Sequence, residues 1–176
     1  WSIGDGVTAT TQSSADNSTK VATTAYVDSA NKVLQVVSGT LLTQATITGS
    51  TWAATGVTAD ITPASTSNKV LVTVTVYAYC NDAAMLALYR DSTKVGAGTD
   101  GSSDDYEGYA MVRFSNANQG ATFSYSFLDS PSSTSSITYT VQGRPISSSD
   151  NLYINRRGDD GNYSLASTIT LMEIAG

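Results

Sequence analysis

The feature that most constrains the fold of this chain is a strict alternation of residue types from Lys69 to Tyr79. Valine or alanine occupies every second position, and the residues between them are mainly threonine and tyrosine. A period of two is typical of a strand that turns one face to a core. The apolar series comprises Val70, Val72, Val74, Val76 and Ala78. We therefore predict that Val72, Val74 and Val76 are buried between two sheets.

Similar short segments recur along most of the chain and are separated by turn-forming residues. The segments are 34–47, which is broken at 38–40, 57–62, 69–79, 83–90, 95–98, 108–115, 121–128, 136–142, 152–156 and 165–174. Strands at this spacing are typical of all-β sandwiches. The sequence thus predicts an all-β fold, an antiparallel jelly-roll sandwich of about ten strands.

Composition supports strands and disfavours several kinds of partner. About 50 of the 176 residues are serine or threonine, and only 14% are charged. The net charge of −6 disfavours nucleic acid, because phosphate binding depends on lysine and arginine. No apolar run approaches the ~20 residues of a membrane span, so no membrane insertion is expected. The single Cys80 cannot form an intrachain disulfide and is expected to be a buried, inert thiol.

The segment 16–33 predicts the one helix of the chain. Asp16 and Ser18 offer oxygens to the free amides of a helix start, and apolar residues follow at helical spacing from about Val21 to Val33. The apolar face would consist of Ala22, Ala25, Tyr26, Ala30 and Val33. A helix of roughly 13 residues is marginal alone, so it needs its own domain or the same helix of other subunits as a neighbour.

The same region carries a resemblance. Residues 8–27, TATTQSSADNSTKVATTAYV, resemble a segment found in bacteriophage tail fibres. ITPASTSNKVLVTVTV, LYRDSTKVGAG, LDSPSSTSSITYTVQ, LYINRR and STITLMEIA resemble pieces of the fibre tip domain, whose fold is similar to the trimeric heads of the tumour necrosis factor and complement families. The resemblance implies a homotrimer in the virion, with other tail proteins and a host surface as partners. Since the chain begins at Trp1 without an initiator methionine, we expect it to be the C-terminal part of a longer polypeptide.

Two domains follow from these patterns. Residues 1–33 are expected to be a fibre shaft segment with a short trimerising helix, and residues 34–176 a jelly-roll head that forms the receptor-binding tip. The trimer interface is predicted to include residues of the helix and of the first and last strands. These are Ala22, Tyr26, Val33, Leu41, Ile47, Ile169 and Leu171.

Catalytic chemistry has little support in the sequence. The chain has no histidine, which removes serine–histidine–aspartate triads and most zinc sites. Carboxylate pairs for glycoside cleavage remain conceivable among Asp104, Asp105, Glu107, Asp159 and Asp160. The acidic loop at 100–107 has oxygens for Ca²⁺, but its spacing does not match an EF-hand. We expect no catalytic residue, no cofactor and no metal.

The loops contain the candidate recognition residues. If every strand reverses the chain, the loops at 48–54, 81–82, 99–107, 129–135 and 157–164 lie at the distal end of the head, away from its chain termini. The basal loops are then 63–68, 91–94, 116–120 and 143–151. The distal set contains charged and aromatic residues that suit a sugar ligand, because tyrosine covers the apolar face of a sugar while charged groups bind its hydroxyls. The predicted receptor-binding residues are Asp104, Asp105, Tyr106, Glu107, Tyr109, Arg156, Arg157 and Tyr163.

The resulting functional hypothesis is a trimeric tail fibre tip that binds a host surface receptor, chiefly envelope polysaccharide, during adsorption. One alternative is a purely structural head that caps the trimer without binding a receptor. Another is a depolymerase that cuts surface polysaccharide. The tripeptide Arg157-Gly158-Asp159 also matches an integrin-binding motif, but three residues within a turn are a weak signal, and a solvated charged turn accounts for them equally well.

Overall fold

The computed structural model describes residues 9–13, 16–18, 20–30 and 32–176. These residues form one α-helix, α1, at Thr24–Ala30 and a 3-10 helix at Asp104–Tyr106. They also form eleven strands. The strands are β1 (Val33–Leu41), β2 (Ala45–Thr48), β3 (Ala53–Ile61), β4 (Lys69–Cys80), β5 (Ala84–Arg90), β6 (Thr93–Val95), β7 (Ala110–Val112), β8 (Ala121–Asp129), β9 (Ile137–Pro145), β10 (Asn151–Ile154) and β11 (Ser167–Ile174).

All strand pairings are antiparallel and divide into two sheets. In the first sheet β8 pairs with one side of β4, β11 and β10 share its other side, and β1 and β2 lie outside them. The second sheet runs β3, β9, β5, and then β6 and β7 share the free side of β5. If the interrupted strands are counted once, each sheet has four strands in a jelly-roll order. The predicted all-β sandwich is therefore confirmed.

The core lies between the sheets, and the alternation in β4 places it there. The side chains of Val70, Val72, Val74, Val76 and Ala78 are all buried. They belong to one cluster with buried residues of the second sheet, among them Leu86 and Val141. Each buried valine contributes roughly 1.5 kcal/mol or more to folding. Cys80 is buried as predicted, and burial raises the pKa of its thiol to about 11.

The helix is shorter than the sequence pattern predicts. The Thr23 hydroxyl accepts the amide of Tyr26 at 3.2 Å, so the helix begins at Thr24. Asp16 instead accepts the amide of Ser18 and stabilises a separate turn before the helix. Val33 was predicted to end the helix, but it begins β1 and pairs with Ile174. The helix prediction is therefore wrong at both ends.

Three strands are interrupted, and this changes the positions of the loops. We call the end where β1 begins and β11 ends the basal end, and the opposite end distal. β1 and β2 run in the same direction as each other. The same is true within the pair β6 and β7 and within the pair β10 and β11. The chain leaves the sheet and returns without reversing at three side excursions. These excursions are 42–44, 96–109 and 155–166.

The loop prediction, which assumed a reversal after every strand, is therefore wrong at several loops. Loop 130–136 is basal because Asp129 pairs with Val70 near the start of β4. Loops 113–120 and 146–150 are distal, because they join β7 to β8 and β9 to β10 at the end where β4 finishes. The loops around 99–107 and 157–164 belong to the side excursions. The assignments of loops 48–54, 81–82, 63–68 and 91–94 were correct.

Candidate functional site

Two neighbouring side chains anchor the excursion at 155–166. Asn155 has a left-handed backbone with φ of 60°, which asparagine tolerates better than most residues. Its buried side-chain amide donates to the carbonyls of Leu41 and Thr43 at 2.8 and 3.1 Å. The Ser167 hydroxyl donates to Asn155 Oδ1 at 2.6 Å and accepts the amide of Tyr77 at 3.0 Å. The excursion thus leaves and rejoins the sheet at a fixed point.

The excursion crosses the outer face of the first sheet. The amides of Gly158 and Asp159 both donate to the carbonyl of Ala117, at 2.8 and 3.1 Å. Gly158 lies so close to the Tyr79 ring that a Cβ at this position would collide with it. Tyr79 is buried beneath the excursion and stacks on Phe114 and Tyr153, with ring centroids 5.9 and 6.1 Å apart. The excursion is therefore supported by a row of three aromatic rings.

Two arginines of the excursion lie over tyrosine rings. The Arg157 guanidinium is 4.4 Å from the Tyr163 ring centroid, and that of Arg156 is 4.5 Å from the Tyr153 centroid. Tyr163 is 57% exposed, so part of its ring is open to solvent. Such pairs combine an aromatic surface with a cation. Tyr153 is half-buried and part of the sheet, so Arg156 adds to the aromatic row below.

Carboxylates hold Arg157 in this position. Arg157 forms ion pairs with Asp159 at 2.6 Å and with Asp160 at 2.9 Å. The hydrogen bond from Arg157 lowers the pKa of Asp160, which a general acid for glycoside cleavage would need raised. The arginine and aspartate of the Arg157-Gly158-Asp159 tripeptide bind each other, so neither is presented as a separate charge to an integrin.

The other predicted receptor-binding residues lie on the opposite sheet. The side chain of Asp104 lies outside the described residues, and its backbone begins the 3-10 helix. Asp105 and Tyr106 contact Arg144 on the outer side of the second sheet. Glu107 is half-buried in the same excursion. The residues predicted as one patch therefore form two groups, on opposite faces of the sandwich.

Tyr109 is not available as a ligand-binding side chain. Its ring stacks on that of Tyr125, with the centroids 4.8 Å apart, and both rings pack against the core. The hydroxyl oxygen is buried without a hydrogen-bond partner among the described residues, and burial raises its pKa. Tyr109 was predicted to belong to an exposed recognition surface, but its ring is half-buried against the core.

The structure also places the residues predicted at a trimer interface. Ile47, Ile169 and Leu171 are buried in the core of one chain, where they cannot contact another copy. Leu41 is partly buried against the same core. The other three residues remain accessible to different degrees: Ala22 and Val33 are exposed, and Tyr26 is half-buried with its hydroxyl bonded to the carbonyl of Asp16.

A different surface, missed in the sequence, has the character of an interface. We call it the uncharged face; it is the outer side of the first sheet, formed by twelve positions on β1, β11, β4 and β8. Strand register aligns them in three rows. The rows are Val36–Met172–Leu71–Leu128, Ser38–Thr170–Thr73–Ser126 and Thr40–Thr168–Thr75–Ser124. None of the twelve is charged, and Val36 and Leu128 are about half exposed. The alternation in β4 reveals only one strand of this face, because the register of its neighbours is needed for the rest.

Comparison of the chain with protein-family models and with curated proteins finds no match. Among the described residues, no helix has the length and apolar character needed to cross a membrane. The described residues also contain no group of three or more His, Cys, Asp or Glu side chains that could hold a metal ion.

Proposed function

We propose that this chain forms the tip of a trimeric bacteriophage tail fibre and that its head binds a glycan on the host cell surface during adsorption. The observation that carries the proposal is the contact of half-buried Arg157 with exposed Tyr163 on the 155–166 excursion. The resemblance of residues 8–27 to tail fibres supplies the biological setting.

The chemistry of this pair suits a sugar. The open part of the Tyr163 ring can cover the apolar face of a pyranose, while nearby Asp160 and Asn162 offer oxygen and nitrogen atoms to its hydroxyls. Tyrosine has few rotatable bonds, so it loses little entropy on binding. The ion pairs of Arg157 and the anchor at Asn155 hold the group in place before a ligand arrives.

The uncharged face supports assembly with other copies of the chain. The apolar row Val36–Met172–Leu71–Leu128 is contiguous, and contiguous exposed apolar surface is a feature of interaction sites. In contrast, the outer side of the second sheet carries Asp60 and Arg144. Three weak sugar sites on one assembly would gain avidity of about 10² to 10⁴ over a single site.

A structural head that caps the fibre is the second candidate, and one observation favours it. The Asp160 carboxylate already accepts bonds from Arg157 and from the backbone and side chain of Asn162. A loop that satisfies its own polar groups has less to offer a ligand.

Competition for adsorption separates the candidates. Purified wild-type head should block phage adsorption to host cells, and Tyr163→Ala should reduce this block by about tenfold or more, which corresponds to a loss of about 1.4 kcal/mol or more in binding free energy. Met111→Ala is the matched control, because Met111 is similarly exposed and lies on the second sheet. A wild-type head that does not compete would favour the structural candidate. Release of sugar from host envelope by the head would instead indicate a depolymerase.

A further inference from the structure

A single arginine is buried beneath the 96–109 excursion. Arg144 lies in β9 between the inward-facing Gly143 and Pro145, so its side chain points to the outer side of the second sheet. It is nevertheless only 6% exposed. Asp105 and Tyr106 cover it, with its guanidinium carbon 5.7 Å from the Tyr106 ring centroid.

The guanidinium is poorly satisfied in this position. It has five N–H donors in a planar fork. Among the described residues its acceptors come from Asp105, with the carbonyl 3.4 Å from a terminal nitrogen and Oδ1 3.2 Å from Nε. The second contact lacks hydrogen-bond alignment, so the buried Nε has no acceptor. Arg90, by comparison, donates to both oxygens of Asp129 at 2.8 and 2.9 Å.

We propose that Arg144 is a binding site for an oxyanion, in which Asp105 occupies the place of an external ligand. A free carboxylate or a phosphate group can offer two oxygens to the fork in parallel, which gives the bidentate geometry that Asp105 does not reach. The Asp105 side chain is 52% exposed and can return to water, whereas Arg144 is held by the sheet.

The excursion has a simple way to open. At its ends, the Gly98 amide donates a hydrogen bond of 3.4 Å to the Gly108 carbonyl, and the Tyr109 amide donates one of 2.8 Å to the Leu86 carbonyl. Movement of the turn at 104–106 alone would uncover Arg144 without breaking the pairing of β7 with β5. The ligand class is an acidic saccharide, with its carboxylate or phosphate on Arg144.

The saccharide part of this assignment rests on the proposed function, but the site is separate from the proposed one. It lies on the sheet opposite to the 155–166 excursion, so adsorption could depend on Tyr163 even if Arg144 binds nothing, and the reverse also holds.

The test is a titration of the full chain with D-glucuronate, followed by NMR of the arginine Nε–H groups. The sequence has five arginines, so the signals can be assigned individually. Glucuronate should shift the Arg144 signal, and neutral D-glucose should not. The Asp105→Asn variant should bind glucuronate about tenfold more tightly, because it removes the internal competitor and raises the fraction of open sites. Inorganic phosphate that shifts the same signal would extend the site to phosphoryl groups.

Asp82→Asn is the matched control. Asp82 pairs with the exposed Arg113 at 3.7 Å, and its replacement changes the net charge by the same amount. Equal tightening in both variants would mean a general charge effect and would overturn the proposal, as would an unshifted Arg144 signal in Asp105→Asn. Arg144→Gln should abolish binding. If that variant does not fold, Arg144→Lys keeps the charge without the fork and should weaken binding relative to wild type.

Discussion

Glu173 accepts a hydrogen bond of 2.6 Å from the side-chain amide of Asn68 at the basal end of the sandwich. Its carboxylate also accepts the amide of Ala64 at 2.7 Å and the side chain of Gln35 at 2.6 Å. The residue is 1% exposed. One buried carboxylate therefore joins β1 and β11 to the loop that leads into β4, beside the point where the helix enters the head.

Replacing Glu173 with glutamine should destabilise the head by about 1 to 3 kcal/mol at pH 7. The side-chain NH2 of glutamine would point at an N–H group that now donates to the carboxylate. A buried donor without an acceptor costs about this much. Denaturant unfolding at neutral pH measures the difference. Gln12→Glu, a change in the polar segment before the helix, should leave stability within about 0.5 kcal/mol of wild type.

The same carboxylate predicts a pH dependence. Burial raises the pKa of Glu173, but the bonds from Asn68, Gln35 and Ala64 outweigh it, so the folded pKa is below the usual 4.5. The stabilisation is therefore complete above about pH 4.5 and is lost as the pH falls through the folded pKa. The gap in stability between wild type and Glu173→Gln should narrow on acidification. A gap that stayed constant down to pH 2 would contradict this assignment.

Removing one partner of the Arg90–Asp129 pair should be strongly destabilising. Asp129 is buried, accepts both bonds from Arg90, and accepts the Tyr139 hydroxyl at 2.6 Å. Arg90→Gln would leave this carboxylate without its cation and should cost about 3 kcal/mol. Arg113→Gln, which breaks an exposed pair, should cost less than about 1 kcal/mol. Similar losses in both variants would show that burial does not distinguish these pairs.

The sequence predicted the layers of this fold better than the ends of its loops. The period of two in β4 determines which side chains are inside, because a shift by one residue would expose every valine. No comparable sequence pattern shows whether the chain reverses direction between two strands. β6 and β7 read as separate strands with a long connection, and only pairing with the same side of β5 shows that they are one interrupted strand.

Residue type selected the candidate receptor-binding residues, but the assumed topology placed them on one surface, whereas they lie on opposite faces of the sandwich. Arg157 and Tyr163 lie six positions apart and their side chains contact each other, so local sequence was sufficient to group them, while their role in receptor binding stays a prediction. Arg144 was missed because an arginine in an alternating strand looks like an ordinary solvated side chain. Its burial depends on a turn almost 40 positions earlier, which no local pattern reveals.

Two aspartate substitutions on β4 should have different effects. Val74 is fully buried, so Val74→Asp would place an unpaired charge in the core, cost several kcal/mol and prevent folding. Thr73 lies on the uncharged face, so Thr73→Asp should fold but repel other copies. Circular dichroism and light scattering distinguish the two outcomes. If the chain forms the proposed trimer and Thr73→Asp keeps the trimer mass, the interface between copies lies elsewhere.

Gly158 should control the shape of the 155–166 excursion. Even one methyl group at this position would collide with the Tyr79 ring, and the ring is fixed between Phe114 and Tyr153. Gly158→Ala should therefore lift the excursion from the sheet at a cost of about 1 to 3 kcal/mol. The bonds of Gly158 and Asp159 to Ala117 would be lost, and the Arg157–Tyr163 pair would move with them.

Gly98→Ala is the control, since Gly98 has open space around it. If the proposed site is correct, Gly158→Ala should reduce competition for host adsorption as much as Tyr163→Ala does, while β-sheet circular dichroism is unchanged. Full competition by Gly158→Ala would mean that recognition does not depend on the excursion.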